Sequence, residues 1–323
     1  MRAIVQDRYG SAEVLALREI DVPGVGDGEV LVRVRAAGVD PGVWHLMTGL
    51  PYLVRPMFGL RRPRNRVPGM DLAGVVEAVG PCVTRFAPGD EVYGTGRGTY
   101  AEYTVAPEGR LAVKPANLTF EQAAAVPISG QTALAAVRGA GNVRAGQRVL
   151  VIGAGGGVGT YAVQLARAAG AHVTGVCSTS KIELVRSIGA ADVVDYTRED
   201  ITDRGHRYDV IVDTAGNRTL SHLRRAMTEK GTLLLVGGEA SGGRLLQGFD
   251  RQLRALLLSP FVGQRLVPLV SVESTANLDT LRQFIEAGEV VPVVGRSYPL
   301  AELPDAVRDI GSGHALGKIV VVI

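Results

Sequence analysis

The residues best placed to do chemistry in this chain are ones that have no side chain. Val149-Leu150-Val151-Ile152 is a short apolar run that leads into Gly153-Ala154-Gly155-Gly156-Gly157-Val158-Gly159. A strand pattern enters a glycine turn, and the turn opens a helically spaced segment from Val158 to Ala169 that stops at Gly170. Backbone without side chains lets a pyrophosphate approach closely. The first turn of the helix adds unpaired N–H groups and the positive end of its dipole. In the best register, Ala154-x-Gly156-x-x-Gly159, alanine stands where the first glycine of such turns is usual. Ala154, Gly155, Gly156, Gly157, Val158 and Gly159 are therefore the expected contacts to a dinucleotide. A bare glycine pattern is weak evidence; one set between a clear strand and a clear helix is specific.

The following strand, His172 to Cys177, indicates which dinucleotide. Its end reads Val176-Cys177-Ser178-Thr179-Ser180-Lys181, with no acid. An NAD-binding protein normally has Asp or Glu about 20 residues after the turn, bonding the ribose hydroxyls. A carboxylate repels a 2′-phosphate, whereas a hydroxyl and an ammonium attract it. Ser178 and Lys181 are the expected phosphate contacts, and NADPH the expected cofactor. The plainer reading of Lys181 is an exposed residue in the first turn of a helix.

Other chemistries find less support. The five histidines, His45, His172, His206, His222 and His314, show no metal-ligand spacing. Cys82 and Cys177 are the only cysteines, which argues against a disulfide framework and fits a reducing compartment. The chain opens Met1-Arg2-Ala3-Ile4-Val5, a strand-like pattern without signal-peptide architecture, so the expected location is the cytoplasm. No uncharged apolar stretch approaches bilayer-spanning length. A net charge of +3 gives no strong pull toward nucleic acid or an anionic membrane. One basic cluster, Arg61, Arg62, Arg64 and Arg66, reads either as a solvated loop or as a flap over an anionic ligand.

Elements must position these residues. With 323 residues, two domains fit better than one. The first third is strand-like: Val30 to Ala36, Leu72 to Val79 and Glu91-Val92-Tyr93 are short and punctuated by Gly and Pro, suggesting a partly open barrel. From about residue 122, strands and helices alternate. Arg148–Ile152, His172–Cys177, Asp192–Tyr196, Tyr208–Asp213 and Thr232–Val236 read as strands, with helices between, the order of a doubly wound parallel sheet in an α/β fold. After about residue 273 one helix (Asn277 to Ala287) and a few strands remain, the last being Lys318 to Ile323. The expected division is 1–122, 123–272 and 273–323, the first and last parts forming one domain.

With these motifs in place, the chain resembles the zinc-free quinone-oxidoreductase (zeta-crystallin-like) branch of the medium-chain dehydrogenase/reductase superfamily. The resemblance runs through Ala37-Gly38-Val39-Asp40-Pro41, Pro68-Gly69-Met70-Asp71-Leu72-Ala73-Gly74, Gly89-Asp90-Glu91-Val92, Tyr100-Ala101-Glu102-Tyr103 and Ala123-Ala124-Ala125-Val126-Pro127. It continues through Gly130-Gln131-Thr132-Ala133, the glycine turn, Gly189-Ala190-Ala191-Asp192 and Tyr208 to Asp213. It implies a GroES-like catalytic domain built from both chain ends, a Rossmann domain inserted between them, and a homodimer joined through the cofactor domains. It also implies that Thr132 lies near the nicotinamide, Tyr196 near the adenosine phosphate beside Lys181, and Leu266 to Val272 on the last Rossmann strand, its backbone touching the nicotinamide.

Zinc-dependent relatives place a cysteine at Asp40 and Gly-His-Glu at Gly69-Met70-Asp71; methionine cannot replace the nitrogen ligand. Without a Lewis acid, oxidation of a simple alcohol lacks a means of stabilising the alkoxide. Hydride transfer to a quinone or conjugated enone needs mainly that nicotinamide and acceptor be held face to face. Asp40, Trp44, His45 and Tyr52 are the candidate pocket residues: Trp44 to stack on a flat acceptor, His45 or Tyr52 to donate a proton. Two other readings fit the same motifs, an enoyl-thioester reductase and a non-catalytic NADPH-binding redox sensor.

Overall fold

A computed structural model describes residues 1–52, 55–237 and 249–323. The chain divides into two compact units, one of residues 1–131, 273–288 and 292–323, the other of 132–272 and 289–291.

The first unit opens with β1 (Arg2–Val5) and β2 (Ala16–Glu19), an antiparallel pair. Then follow β3 (Glu29–Val39), helices α1 (Pro41–Thr48) and α2 (Arg55–Phe58), β4 (Asp71–Val79), β5 (Glu91–Thr95), β6 (Tyr103–Pro107) and β7 (Leu111–Val113). β3 is the hub. It pairs with β4 and β6, and its register slips twice against β4, between Leu31 and Val32 and between Val34 and Ala36. Such slips bend a strand and help a sheet curl toward a barrel. Val30, Val32, Val34, Leu72, Val76 and Leu111 point into one apolar core.

Helix α3 (Phe120–Ala124) packs on β3 and β4, and α4 (Pro127–Leu134) follows, continued by a π-helical turn at 135–140. The structure therefore moves the first boundary from 122/123 to 131/132. The alanine-rich change in composition begins while the chain is still packed on the first sheet. Within that unit, Gln131 Oε1 accepts from Ser274 N at 2.8 Å, which ties α4 to the returning chain.

The second unit runs β8 (Arg148–Ile152), α5 (Gly157–Ala168), β9 (His172–Cys177), α6 (Ile182–Ser187), β10 (Asp192–Asp195), β11 (Tyr208–Asp213), α7 (Leu220–Arg225), β12 (Met227–Leu235), α8 (Phe249–Leu258) and β13 (Arg265–Pro268). All six strands are parallel, in the order β10-β9-β8-β11-β12-β13. The order reverses between β8 and β11, the kind of switch point beside which dinucleotides bind. Val149, Leu150, Val151 and Ile152 are all buried, as a central strand covered on both faces requires. β12 starts five residues before the expected Thr232, because Met227 pairs with Tyr208. β13 stops at Pro268, short of the expected Val272.

The chain then returns to the first unit as α9 (Thr275–Glu286), β14 (Val294–Pro299), α10 (Leu303–Gly311) and β15 (Lys318–Val322). β15 lies antiparallel to β3, with Ile319 opposite Val39, so the two chain ends share one sheet.

Candidate active site

The glycine turn is shaped by backbone contacts. Gly153 has φ +79°, a left-handed conformation that favours glycine, and a Cβ there would sit 2.4 Å from Thr214 Oγ1. That conformation falls one residue before Ala154, which explains why alanine is tolerated in the fingerprint. A Cβ on Gly159 would meet Gly153 O at 2.0 Å and Ala154 Cα at 2.9 Å, so α5 can pack this closely on the turn only with glycine there. Gly156 is the N-cap residue of the twelve-residue α5. A Cβ on Gly155 would touch the stem of Lys181, at 2.8 Å from Cδ. Lys181 thus lies across the turn. Burial lowers the pKa of its ammonium, and the Cys177 thiol opposes that shift.

Ser178 precedes the 3-10 turn Thr179–Lys181. Tyr196 N donates to Cys177 O at 3.1 Å, which brings Tyr196, half exposed, beside Ser178. Ser178, Lys181 and Tyr196 therefore gather at the C-terminal ends of β9 and β10. One carboxylate unforeseen in the sequence, Asp195, lies there too. Its oxygens accept from Thr179 Oγ1, Thr197 Oγ1 and Thr197 N, and these bonds hold its pKa below the usual carboxylate range. A second unforeseen acid, the fully buried Asp213 at the end of β11, pairs with buried Arg251 and accepts from Ala215 N and Gly216 N. Thr132 sits half buried on α4.

In the first unit three strand ends converge. β15 and β4 flank β3 and run antiparallel to it, so both begin where β3 ends. Asp40 follows β3, Asp71 opens β4 and Lys318 opens β15, and all three are buried. Lys318 Nζ donates to Asp71 Oδ2 at 3.0 Å and lies 3.9 Å from Asp40 Oδ2. Asp71 Oδ1 accepts from Ile128 N at 2.9 Å. Gly38 makes room, since a Cβ there would lie 2.6 Å from Asp71 Oδ2. Burial raises the Asp71 pKa to about 6; Lys318 pulls it down and Asp40 pushes it up. Burial also acts to lower the Lys318 pKa, but the two carboxylates outweigh it and the net shift is upward. Asp40 Oδ1 accepts from Gly42 N at 2.9 Å and so caps α1; Oδ2 is buried without a hydrogen bond.

The other sequence candidates sit differently. Trp44 packs against the apolar core, with the Gly311 Cβ position 3.3 Å from its ring. His45 Nδ1 lies 2.8 Å from Leu50 O. Tyr52 is exposed beneath the Arg55 guanidinium, 4.5 Å from its ring centre. Asp40, Trp44 and His45 share one cap and helix, while Tyr52 faces Arg55. Lys318 went unnoticed as a site residue, and its only sequence signal was a charge at the start of an otherwise apolar strand.

Residues 26–116 match the alcohol dehydrogenase GroES-like domain family, and residues 188–321 match a family described as zinc-binding dehydrogenase. An Arabidopsis thaliana NADPH-dependent alkenal/one oxidoreductase is 34% identical, the alignment covering 99% of this chain and 79% of that protein. A chloroplast envelope quinone oxidoreductase homolog, also from Arabidopsis thaliana, is 31% identical, with 99% and 98% covered. A solved NAD-dependent alcohol dehydrogenase superposes with a TM-score of 0.86 at 31% identity, over 100% of both chains. The zinc that the second family description implies does not fit these residues. Asp71 is already engaged by an ammonium, Met70 offers only a thioether, and among the described residues no three His, Cys, Asp or Glu side chains gather as a ligand set.

Proposed function

This chain belongs to the quinone-oxidoreductase branch of the medium-chain dehydrogenase/reductase superfamily, and from that premise we propose that it transfers hydride from NADPH to a quinone or α,β-unsaturated carbonyl compound without zinc. The observation that carries the reading is the Lys318 ammonium bound between Asp40 and Asp71, the positions at which the zinc-dependent pattern has its cysteine and glutamate. A site without a Lewis acid favours acceptors that spread incoming charge over several atoms.

The cofactor supplies the hydride, and the chain's own residues provide binding and orientation. The turn from Gly153 to Gly159, with Ala154, Gly155, Gly156, Gly157 and Val158, cradles the pyrophosphate; Ser178, Lys181 and Tyr196 hold the 2′-phosphate; Thr132 lies toward the nicotinamide. Asp195 is the nearby acid that would count against NADPH, and Thr179 and Thr197 already occupy its oxygens. Asp40 belongs to the proposed pocket, where its Oδ2 has an unused acceptor position. His45 follows Asp40 on α1, whereas Trp44 packs in the apolar core and Tyr52 stacks on Arg55, outside the proposed pocket.

Lys181→Ala should weaken NADPH binding by about 1.5–3 kcal/mol, the worth of a hydrogen bond to a charged group, and leave NADH nearly unchanged. Equal losses would remove Lys181 from phosphate recognition. NADPH oxidation should proceed with a panel of quinones and enones and persist after chelation; brisk oxidation of ethanol or benzyl alcohol with no turnover of that panel would refute the reaction.

We also infer a homodimer through the cofactor unit. β13 is an edge strand, and the chain beyond it exposes Val270 (81%) and Val272 (69%), both features suited to pairing with a second copy. Sedimentation should give two chains per particle; a strict monomer at micromolar concentration would exclude it. The free thiols Cys82 and Cys177 support a reducing location such as the cytoplasm, though two relatives carry chloroplast in their names.

A further inference from the structure

Between Asp40 and Asp71 the chain carries five arginines, one histidine and no carboxylate side chain. That stretch is more positive than the whole protein, whose net charge is +3, so the rest of the chain is net negative. The average hid a patch.

The patch is built. Gly59 N donates to Arg55 O at 2.7 Å and Arg64 N to Phe58 O at 2.8 Å, which closes residues 55–64 into a knuckle. Gly59 has φ +124°, and a Cβ there would meet Arg62 O at 2.0 Å. Gly59 and Pro63 are buried beneath it, and Tyr9 OH donates to Gly59 O at 2.6 Å. Arg55 adds a second anchor, its guanidinium 4.7 Å from the Tyr9 ring centre and 4.5 Å from that of Tyr52. The knuckle turns Met57 (71% exposed), Leu60 (69%) and Phe58 outward, together with Arg61, Arg62 and Arg64. Arg66 is matched by Asp7, which also holds Arg18. Arg61, Arg62 and Arg64 form no ion pair among the described residues.

We propose that this knuckle docks the protein on an anionic lipid surface, with Met57, Phe58 and Leu60 entering the headgroup boundary and Arg61, Arg62 and Arg64 meeting lipid phosphates. Large apolar side chains held in water beside unmatched arginines suit that boundary on both counts. A second copy is a poor occupant, since a two-fold contact would press the positive patch against itself. A free anion would use the arginines and leave the apolar tips in water. The docking does not depend on the proposed reaction, although a lipid-dissolved acceptor would be met at the same surface.

The test is flotation of the full chain with phosphatidylcholine vesicles containing about 30% phosphatidylglycerol, against pure phosphatidylcholine. Binding is expected only to the anionic vesicles and should weaken with salt. Arg61→Gln/Arg62→Gln should lower the partition coefficient about 30-fold, and Met57→Ser/Leu60→Ser about 10-fold at unchanged charge. Thermal melting of both variants checks that they remain folded. No flotation at low salt, equal flotation on neutral vesicles, or flotation indifferent to either pair overturns the proposal. So does release by inorganic phosphate at matched ionic strength, which would assign the arginines to a soluble anion. A change in sedimentation coefficient caused by the apolar pair would likewise overturn it, by assigning the knuckle to self-association.

Discussion

In the cofactor unit, the groups assigned to the dinucleotide phosphates come from neighbouring elements: the turn after β8, the start of α5, and the ends of β9 and β10. In the other unit, the charged cluster joins side chains 247 residues apart, Asp71 and Lys318, with Asp40 beside them. The first site rests mainly on backbone geometry that a short stretch of chain can encode. The second rests on buried charges that offset one another only after both chain ends have met. A local site tolerates changes elsewhere in the chain, whereas a cluster assembled from the two ends is sensitive to loss of any one member.

The largest expected effect tests that dependence. Lys318→Met leaves two carboxylates buried with no counter-charge and should cost about 3–5 kcal/mol in chemical denaturation. Asp71→Asn/Lys318→Met should recover most of the loss. The sign of the pH response follows from Asp71. Its pKa in the fold, about 6, is raised above the unfolded value, so its stabilising contribution is full in acid and fades as pH rises through about 6. Removing Lys318 removes a group that pulls this pKa down, so the deficit of the single variant should be wide at pH 8 and narrow toward pH 5. A deficit below about 1 kcal/mol, or one that widens in acid, would break the comparison.

The cofactor unit should respond on a smaller scale. Gly159→Ala forces a methyl group onto Gly153 O, at 2.0 Å, and should cost about 1–3 kcal/mol while sharply weakening NADPH binding. Gly156→Ala, whose Cβ would meet nothing closer than 3.4 Å, is the milder control. Trp44 is the sole tryptophan and lies in the other unit, so its emission should stay native in both variants. A shift in Trp44 emission with Gly159→Ala would show that the backbone site is less local than its sequence suggests.

The same contrast accounts for what was legible in the sequence. β8, β9 and β11 fall within the residues expected of them, because buried parallel strands read as largely apolar runs between turns. The glycine turn was legible for the same reason. Asp40 and Asp71 were noticed through the family pattern, but nothing near Lys318 in sequence pointed to either of them. Asp195 was hidden in another way: its hydroxyl partners sit in the turns after two neighbouring strands, and only the pairing of β9 with β10 brings Thr179 to it. The first boundary was misplaced because a change to alanine-rich sequence marks where helices begin, and α3 still packs on the sheet of the first unit.

That helix supplies the smallest test. Thr119 Oγ1 accepts from Gln122 N at 3.2 Å, and Gln122 Oε1 accepts from Thr119 N at 3.0 Å, a reciprocal capping box written in four consecutive residues. It is a local device inside the unit whose charged cluster is not local. Thr119→Ala removes the hydroxyl acceptor and should cost about 1 kcal/mol, since the freed N–H at the exposed end of α3 can turn to water. Loss of Lys318 leaves no such escape, because its partners are buried. Measured in the same denaturant titration, the Thr119 variant should lose several-fold less stability than Lys318→Met and show no widening between pH 5 and pH 8. A Thr119→Ala loss as large as that of Lys318→Met would mean that this unit depends on its local caps as heavily as on its buried charges, and the contrast between near and distant contacts would fail there.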